Sequence, residues 1–211
     1  GAETIYVGKK GSEKTMEQEE INRLIISLAQ KGKTIVRLKG GDPFIFGRGG
    51  EEAEELVAAG IPFEIVPGVT SATAAPAYAG IPLTHRDLAS SVTFITGQEN
   101  PLKERSNIAW DRLSVGRGTL VFLMGWKNLS LITSKLLGNG WAPSTPVALV
   151  RWGTMTKQKC LTGTLGTIVA LAGAQEMRPP VIIVVGDVVS LREKLNWFET
   201  KPLFGKRILV T

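Results

Sequence analysis

The sequence predicts an α/β fold, in two α/β lobes with mixed, largely parallel sheets, and three observations predict it. Short β-prone apolar runs recur along the chain, at residues 5–8, 35–38, 61–66, 91–96, 119–124, 146–151 and 181–185. Segments with apolar residues at helical spacing stand between most of these runs. Glycine or proline turns close the runs, and this strand, turn and helix order is the grammar of layered sheets with substantial parallel pairing.

Each element follows in turn. Ile5, Tyr6 and Val7 form a first strand that passes into a loop at Gly8. Thr15-Met16-Glu17-Gln18 has the spacing of a capping box, and Ile21, Leu24, Ile25, Leu28 and Ala29 recur at helical intervals until Gly32. A strand at Ile35, Val36 and Leu38 leads through a glycine-rich stretch to a helix over about residues 51–59, closed by Gly60. A short strand at 61–66 is bounded by Pro67, and the turn at 67–71 opens an alanine-rich helix over 72–78 that ends at Gly80. Its small side chains allow close packing. After an alternating strand at 91–96 the composition turns polar and irregular, which predicts a linker between lobes.

The second lobe begins with the strand at 119–124 and a helix with Leu129, Ile132, Leu136 and Leu137 on one side. Strands at 146–151, at 158–162 with antiparallel alternation, and at 181–185 follow, with a helical segment at 165–172 and a closing helix over 190–198. The predicted domains are an amino-terminal lobe at 1–97, a linker at 98–118, a carboxy-terminal lobe at 119–200 and a tail at 201–211. The chain has no initiator methionine and begins and ends on strand-like runs, which is the expectation for a piece of a longer protein.

With 211 residues, 43% apolar and 21% charged, the composition is that of an ordinary globular protein. The net charge of +6 favours acidic partners, but the basic residues are scattered, which argues against nucleic acid and fits an anionic small molecule. Cys160 is the single cysteine, so no internal disulfide or metal cluster is expected, and a reducing cytoplasm is the predicted location. Apolar runs such as 181–185 fall far short of the roughly 20 residues of a membrane helix. No membrane association is expected.

Residues 36–50, VRLKGGDPFIFGRGG, join a strand to two glycine-rich turns carrying isolated charges. At Gly40 and Gly41 side chains vanish and a ligand can approach the backbone. Pro43 pushes Asp42 toward extended backbone at the strand's carboxyl end, where α/β sheets bind ligands. Gly47-Arg48-Gly49-Gly50 leads into Glu51 and Glu52, an acidic first turn suited to a helix N-terminus. A nucleotide- or phosphate-binding enzyme is a rival reading, although the chain lacks a P-loop and a dinucleotide fingerprint.

On VGKK at 7–10, VRLKGGDPFIFGRGGEE at 36–52, VPGVTSA at 66–72, GIPLTHRD at 80–87 and LVFLMG at 120–125, the chain resembles the tetrapyrrole methylases over nearly its whole length. Within that family it is most similar to the uroporphyrinogen-III C-methyltransferases. The resemblance implies a cofactor cleft between two lobes, S-adenosyl-L-methionine as methyl donor with S-adenosyl-L-homocysteine as product, a tetrapyrrole substrate converted to precorrin-2 for sirohaem or cobalamin, and a homodimer. A methylase of a later corrin precursor is the near alternative. The tail at 201–211 resembles the join to a fused uroporphyrinogen-III synthase domain. The family's first strand, its cofactor loop and a catalytic aspartate have no counterpart here, so the resemblance implies that this chain alone binds the product weakly and transfers no methyl group.

Residue by residue, the resemblance places Gly40, Gly41, Asp42, Ile45, Thr70, Ser71, Met124 and Gly153 along the cofactor. Methyl transfer chiefly needs donor and acceptor held in line, together with a base for the proton on the path. Arg48 facing the substrate, Glu51 orienting it and Lys9 as proton donor are the catalytic candidates. Arg86 is the candidate for the substrate's carboxylates, because a guanidinium binds them in two-pronged fashion. Its neighbour His85 is read as a hydrogen-bonded structural residue, and Cys160 as packing.

Overall fold

Five strands, β1 (Val92–Thr96), β2 (Thr119–Leu123), β3 (Pro146–Arg151), β4 (Lys159–Thr164) and β5 (Val181–Val185), hydrogen-bond in the order β1-β2-β5-β3-β4. This mixed sheet is the frame of a computed structural model that describes residues 1–8, 16–98, 108–113 and 118–209. β1 and β2 are parallel, whereas β5 runs antiparallel to both β2 and β3, and β4 antiparallel to β3. It follows that β1, β2 and β3 point the same way. Their carboxyl ends, Thr96, Leu123 and Arg151, share one end of the sheet.

The runs TLVFL and VIIVV are buried at every position, because the sheet is covered on both faces. Leu120, Phe122, Leu149 and Ile183 pack on one face with Leu129, Ile132 and Leu136 of α4 (Leu129–Gly138) and Ile168 of α5 (Ile168–Ala174). Val121, Ala148, Val150 and Val184 face the other way, onto Ala72 and Ala75 of α3 (Ser71–Tyr78). Each buried Val or Leu contributes about 1.5–3 kcal/mol. The alternation along each strand thus feeds two cores.

The chain divides into two compact units, Gly1–Val69 and Thr70–Thr211. The whole sheet belongs to the second, including the strand at 92–96 that the sequence assigns to the amino-terminal lobe. Part of the predicted linker belongs there too: Trp110–Arg112 is a 3-10 turn, and Trp110 stacks on Phe122 with ring centroids 6.1 Å apart. Residues 99–107 and 114–117 of that linker lie outside the described residues. The parallel share of the sheet is smaller than expected, since residues 152–158 are too few for a crossover and join β3 to β4 as antiparallel neighbours. The closing helix is also shorter, a 3-10 turn at Asp187–Leu191 followed by α6 (Arg192–Leu195). Beyond it the chain leaves the helix so that Trp197 and Phe198 pack on Tyr78, with centroids at 5.1 and 4.8 Å.

In the first unit α1 (Gln18–Gln30) and α2 (Gly49–Ala58) form close to where periodicity places them. The capping box of α1 is Glu17 with Glu20, whose carboxylate accepts the Glu17 amide at 2.9 Å; Thr15 lies outside the described residues. The predicted strands at 5–8, 35–38 and 61–66 are not strands here. A strand exists only through a neighbour's donors and acceptors, and the described backbone hydrogen bonds pair none of these runs with another. Val36 and Leu38 are accordingly 83% exposed. Among the described residues no helix is long and apolar enough to cross a membrane.

Candidate functional site

In the first unit, Asp42 organises the glycine loop. Its Oδ1 accepts hydrogen bonds from the Phe44 amide at 2.8 Å and the Ile45 amide at 3.1 Å, and Oδ2 accepts from the Gly68 amide at 3.0 Å. The Gly68 amide, followed by that of Phe44, holds the carboxyl below its ordinary value; slight burial opposes them, and Ile45 adds to the lowering. Asp42 therefore shapes the loop. Gly41 has φ +89, and a Cβ on Gly68 would collide with the Gly41 carbonyl oxygen, so both positions need glycine for the loop's own geometry. Gly40 differs: a Cβ there would meet nothing within 4 Å.

At the far end of the loop, a Cβ on either Gly47 or Gly49 would stand 2.5 Å from the Pro43 carbonyl oxygen. Arg48 between them caps α2 in the left-handed region, at φ 59 and ψ 13. Its Nη2 donates to Glu51 Oε2 at 2.6 Å and its Nε to both Glu51 oxygens at 3.1 and 3.0 Å. That hydrogen bond raises the Arg48 pKa and lowers that of Glu51. The pair is about half exposed, so it orients the guanidinium more than it stabilises the unit.

Glu52, which sequence reasoning missed, points inward. It accepts from Lys39 Nζ at 2.8 and 2.9 Å, from Arg37 Nε at 3.2 Å and from Gln18 Nε2 at 3.0 Å. Burial pushes this carboxyl up, but the hydrogen bonds from Lys39 and Gln18 and the charges of Lys39 and Arg37 outweigh it and leave the pKa lowered. Within the run of four glutamates at 51–55 nothing but helical phase distinguishes Glu52 from Glu51. One acid holds Lys39, just before the loop, and the next holds Arg48, just after it.

In the second unit, Thr70 caps α3, its Oγ1 accepting the Ala72 amide at 3.3 Å, and Ser71 is the first residue of that helix. Met124 follows β2 with φ 56 and is half exposed; Trp152 follows β3 with φ 51. Left-handed backbone at non-glycine residues is strained, and such strain gathers at functional sites. Gly153 has a packing role of its own, because a Cβ there would lie 2.5 Å from the Ala75 Cβ. His85 sits in a turn, its Nδ1 accepting the Asp87 amide at 3.2 Å and its backbone bridging to Ala89, beside an exposed Arg86. Cys160 packs against the α3 face of the sheet; burial pushes its thiol up to about 12, against a lowering by the Arg192 charge, with Glu199 adding to the rise. Lys9 lies outside the described residues.

A second network unread in the sequence closes the end of α3. Trp197 Nε1 donates to the Ala77 carbonyl at 3.0 Å, Gln158 Nε2 to the Tyr78 carbonyl at 3.1 Å and Arg192 Nη1 to the Ala79 carbonyl at 2.5 Å. Glu199 joins Gln158 to Arg192 at 2.8 and 2.6 Å. The Tyr78 and Ala79 carbonyls are thus satisfied by side chains from other segments, while that of Ala77 also accepts the Gly80 amide at 3.1 Å.

Residues 3–169 match the family model described as tetrapyrrole (corrin/porphyrin) methylases. The chain belongs to the tetrapyrrole methylase family. Among the tetrapyrrole methylases it is 54% identical over 195 residues to the S-adenosyl-L-methionine-dependent uroporphyrinogen III methyltransferase of Methanosarcina barkeri, covering 92% of this chain and 76% of that protein. It is also 54% identical over 199 residues to a siroheme synthase of Pseudomonas putida, covering 94% of this chain but 42% of that protein. The chain spans less than half the length of the siroheme synthases it matches. Among solved tetrapyrrole methylases, the uroporphyrin-III C-methyl transferase of Thermus thermophilus complexed with S-adenosylhomocysteine superposes with a TM-score of 0.72 at 37% identity, covering 89% of this chain and 78% of that one.

Proposed function

We propose that this chain carries the methyl-transfer machinery of an S-adenosylmethionine-dependent C-methyltransferase that converts uroporphyrinogen III to precorrin-2, for sirohaem or cobalamin. The observation that carries the proposal is the Asp42-shaped glycine loop with open space at Gly40, in a chain 54% identical to a uroporphyrinogen III methyltransferase. When bound, the donor supplies an electrophilic methyl group. In the first unit Gly40, Gly41, Asp42 and Ile45 are the donor-binding residues, with Asp42 also keeping the loop in shape; in the second unit they are Thr70, Ser71, Met124 and Gly153. Such a site needs exposed backbone polar groups and little bulk, and the loop at Gly40 offers both.

Arg48 is held by Glu51 in one orientation and meets the substrate as a fixed fork, Lys9 is the proton donor, and Arg86 takes a substrate carboxylate. Holding donor and acceptor in line then provides most of the rate. A cytoplasmic homodimer with a synthase domain beyond residue 201 completes this reading.

Calorimetry with S-adenosylhomocysteine and with ATP tests the donor site: binding of the first alone supports it, and binding of ATP alone favours a nucleotide enzyme. In a parent protein containing this chain, S-adenosylmethionine and freshly generated uroporphyrinogen III should yield the precorrin-2 absorption. Turnover of a later corrin precursor in its place would move the assignment to another methylase of the family.

A further inference from the structure

We infer that Arg151 and Lys159 form a carboxylate-binding subsite in the second unit, one that takes an acidic side chain of the tetrapyrrole; the inference rests on the methyl-transfer reading. Arg151 is the last residue of β3, at the sheet end shared by the carboxyl ends of β1, β2 and β3, where α/β sheets bind ligands. Its register partner across the antiparallel pair is Lys159. Partners in register present their side chains on the same face, here the face of Leu149 and Leu161, with Cβ atoms about 5 Å apart. Two cations placed this way repel.

Among the described residues nothing relieves them. Among the described residues neither side chain makes an ion pair, and Arg151 Nε is buried with no hydrogen-bond acceptor. An arginine cannot shed its proton, so a buried, unpaired N–H is a standing cost that an anion would remove. The sequence around it is as one-sided: from Arg112 to Gln175 there are seven Lys or Arg and no Asp or Glu. Lys157 adds a third positive charge on the same connection, its Nζ 3.5 Å from the Trp152 ring centroid. Glu199, the acid whose charge reaches Cys160 of β4, is already engaged by Arg192 and Gln158. A carboxylate is the anion that a guanidinium fork beside an ammonium fits, because one oxygen can meet each group. Eight such groups decorate uroporphyrinogen III.

The test is fluorescence titration of the full chain with uroporphyrin III, the stable oxidised octacarboxylate, alongside calorimetry with S-adenosylhomocysteine. Lys159→Gln and Arg151→Gln should each weaken porphyrin binding by about tenfold or more and flatten its salt dependence, while affinity for S-adenosylhomocysteine stays unchanged. Lys159 is exposed on the edge strand, so its variant folds and decides the matter even where Arg151→Gln lowers stability. Wild-type porphyrin affinity in Lys159→Gln and Arg151→Gln overturns the subsite and leaves the methyltransferase reading standing. Absence of uroporphyrin binding by the wild type, with S-adenosylhomocysteine still bound, overturns the substrate assignment and the subsite with it.

Discussion

Asp42 Oδ2 accepts the backbone amide of Gly68 at 3.0 Å, so a carboxylate at one turn of the first unit fixes another turn 26 residues away. The two turns are the ends of segments that share no strand ladder, which leaves this carboxylate with work that a sheet performs elsewhere.

The charge on Asp42 therefore matters for stability, and the sign follows from its pKa. The folded carboxyl titrates below its ordinary value of 3.8, so its contribution is complete above that value and is lost as pH falls through the lower, folded pKa. Hydrogen exchange of the Phe44, Ile45 and Gly68 amides should lose protection on acidification below about pH 4 in the wild type. In Asp42→Asn these amides should be poorly protected at every pH. Equal protection in both proteins at neutral pH would contradict the role.

Gly40 and Gly68 separate ligand space from structural space. Gly40→Ala meets nothing among the described residues and should change stability by no more than about 0.5 kcal/mol, yet should weaken S-adenosylhomocysteine binding at least tenfold. Gly68→Ala forces a Cβ onto the Gly41 carbonyl and should weaken both. Thermal unfolding and calorimetry on the two variants check this, and unchanged affinity in Gly40→Ala removes Gly40 from the donor site.

Glu52→Ala strips the half-buried Lys39 and Arg37 of their counter-charge and should destabilise the first unit by about 3 kcal/mol, since the remaining cations lose their partner. Amide exchange in α1 and α2 reads the effect. Because the Glu52 pKa is lowered, this support is present above the ordinary value of 4.5 and disappears on acidification through the folded value. Glu51→Gln, at the exposed pair with Arg48, should cost under about 1 kcal/mol while reducing methyl transfer in the parent protein.

Arg48→Lys keeps the charge but loses the fork that Glu51 grips by two nitrogens. Methyl transfer in the parent protein should fall at least a hundredfold with donor affinity near normal, and pairing it with Glu51→Gln should cost less than the sum of the two. Strict additivity would show that the residues act independently.

Cys160, with its thiol pushed up to about 12, should resist maleimide at pH 8 in the folded protein and react fully in urea. Mass spectrometry reads the adduct.

The sequence alone determined the strands at 146–151 and 181–185 and the glycine-closed helices, because continuous apolar runs and terminal glycines carry their reason locally. It also determined the family, through motifs whose order along the chain is itself the signal. Tertiary structure alone decided which acids act. Glu51 and Glu52 are identical neighbours in sequence, and only the facing of α2 sends one to Arg48 and the other to Lys39. The three amides that the Asp42 carboxylate accepts, one of them 26 residues away, come into view only in the fold. The run at 35–38 has strand propensity but no ladder, since a strand is a property of two segments and the sequence describes one at a time. The facing of Arg151 and Lys159 likewise exists only in the register of β3 and β4, eight residues apart in the chain and opposite each other in the sheet.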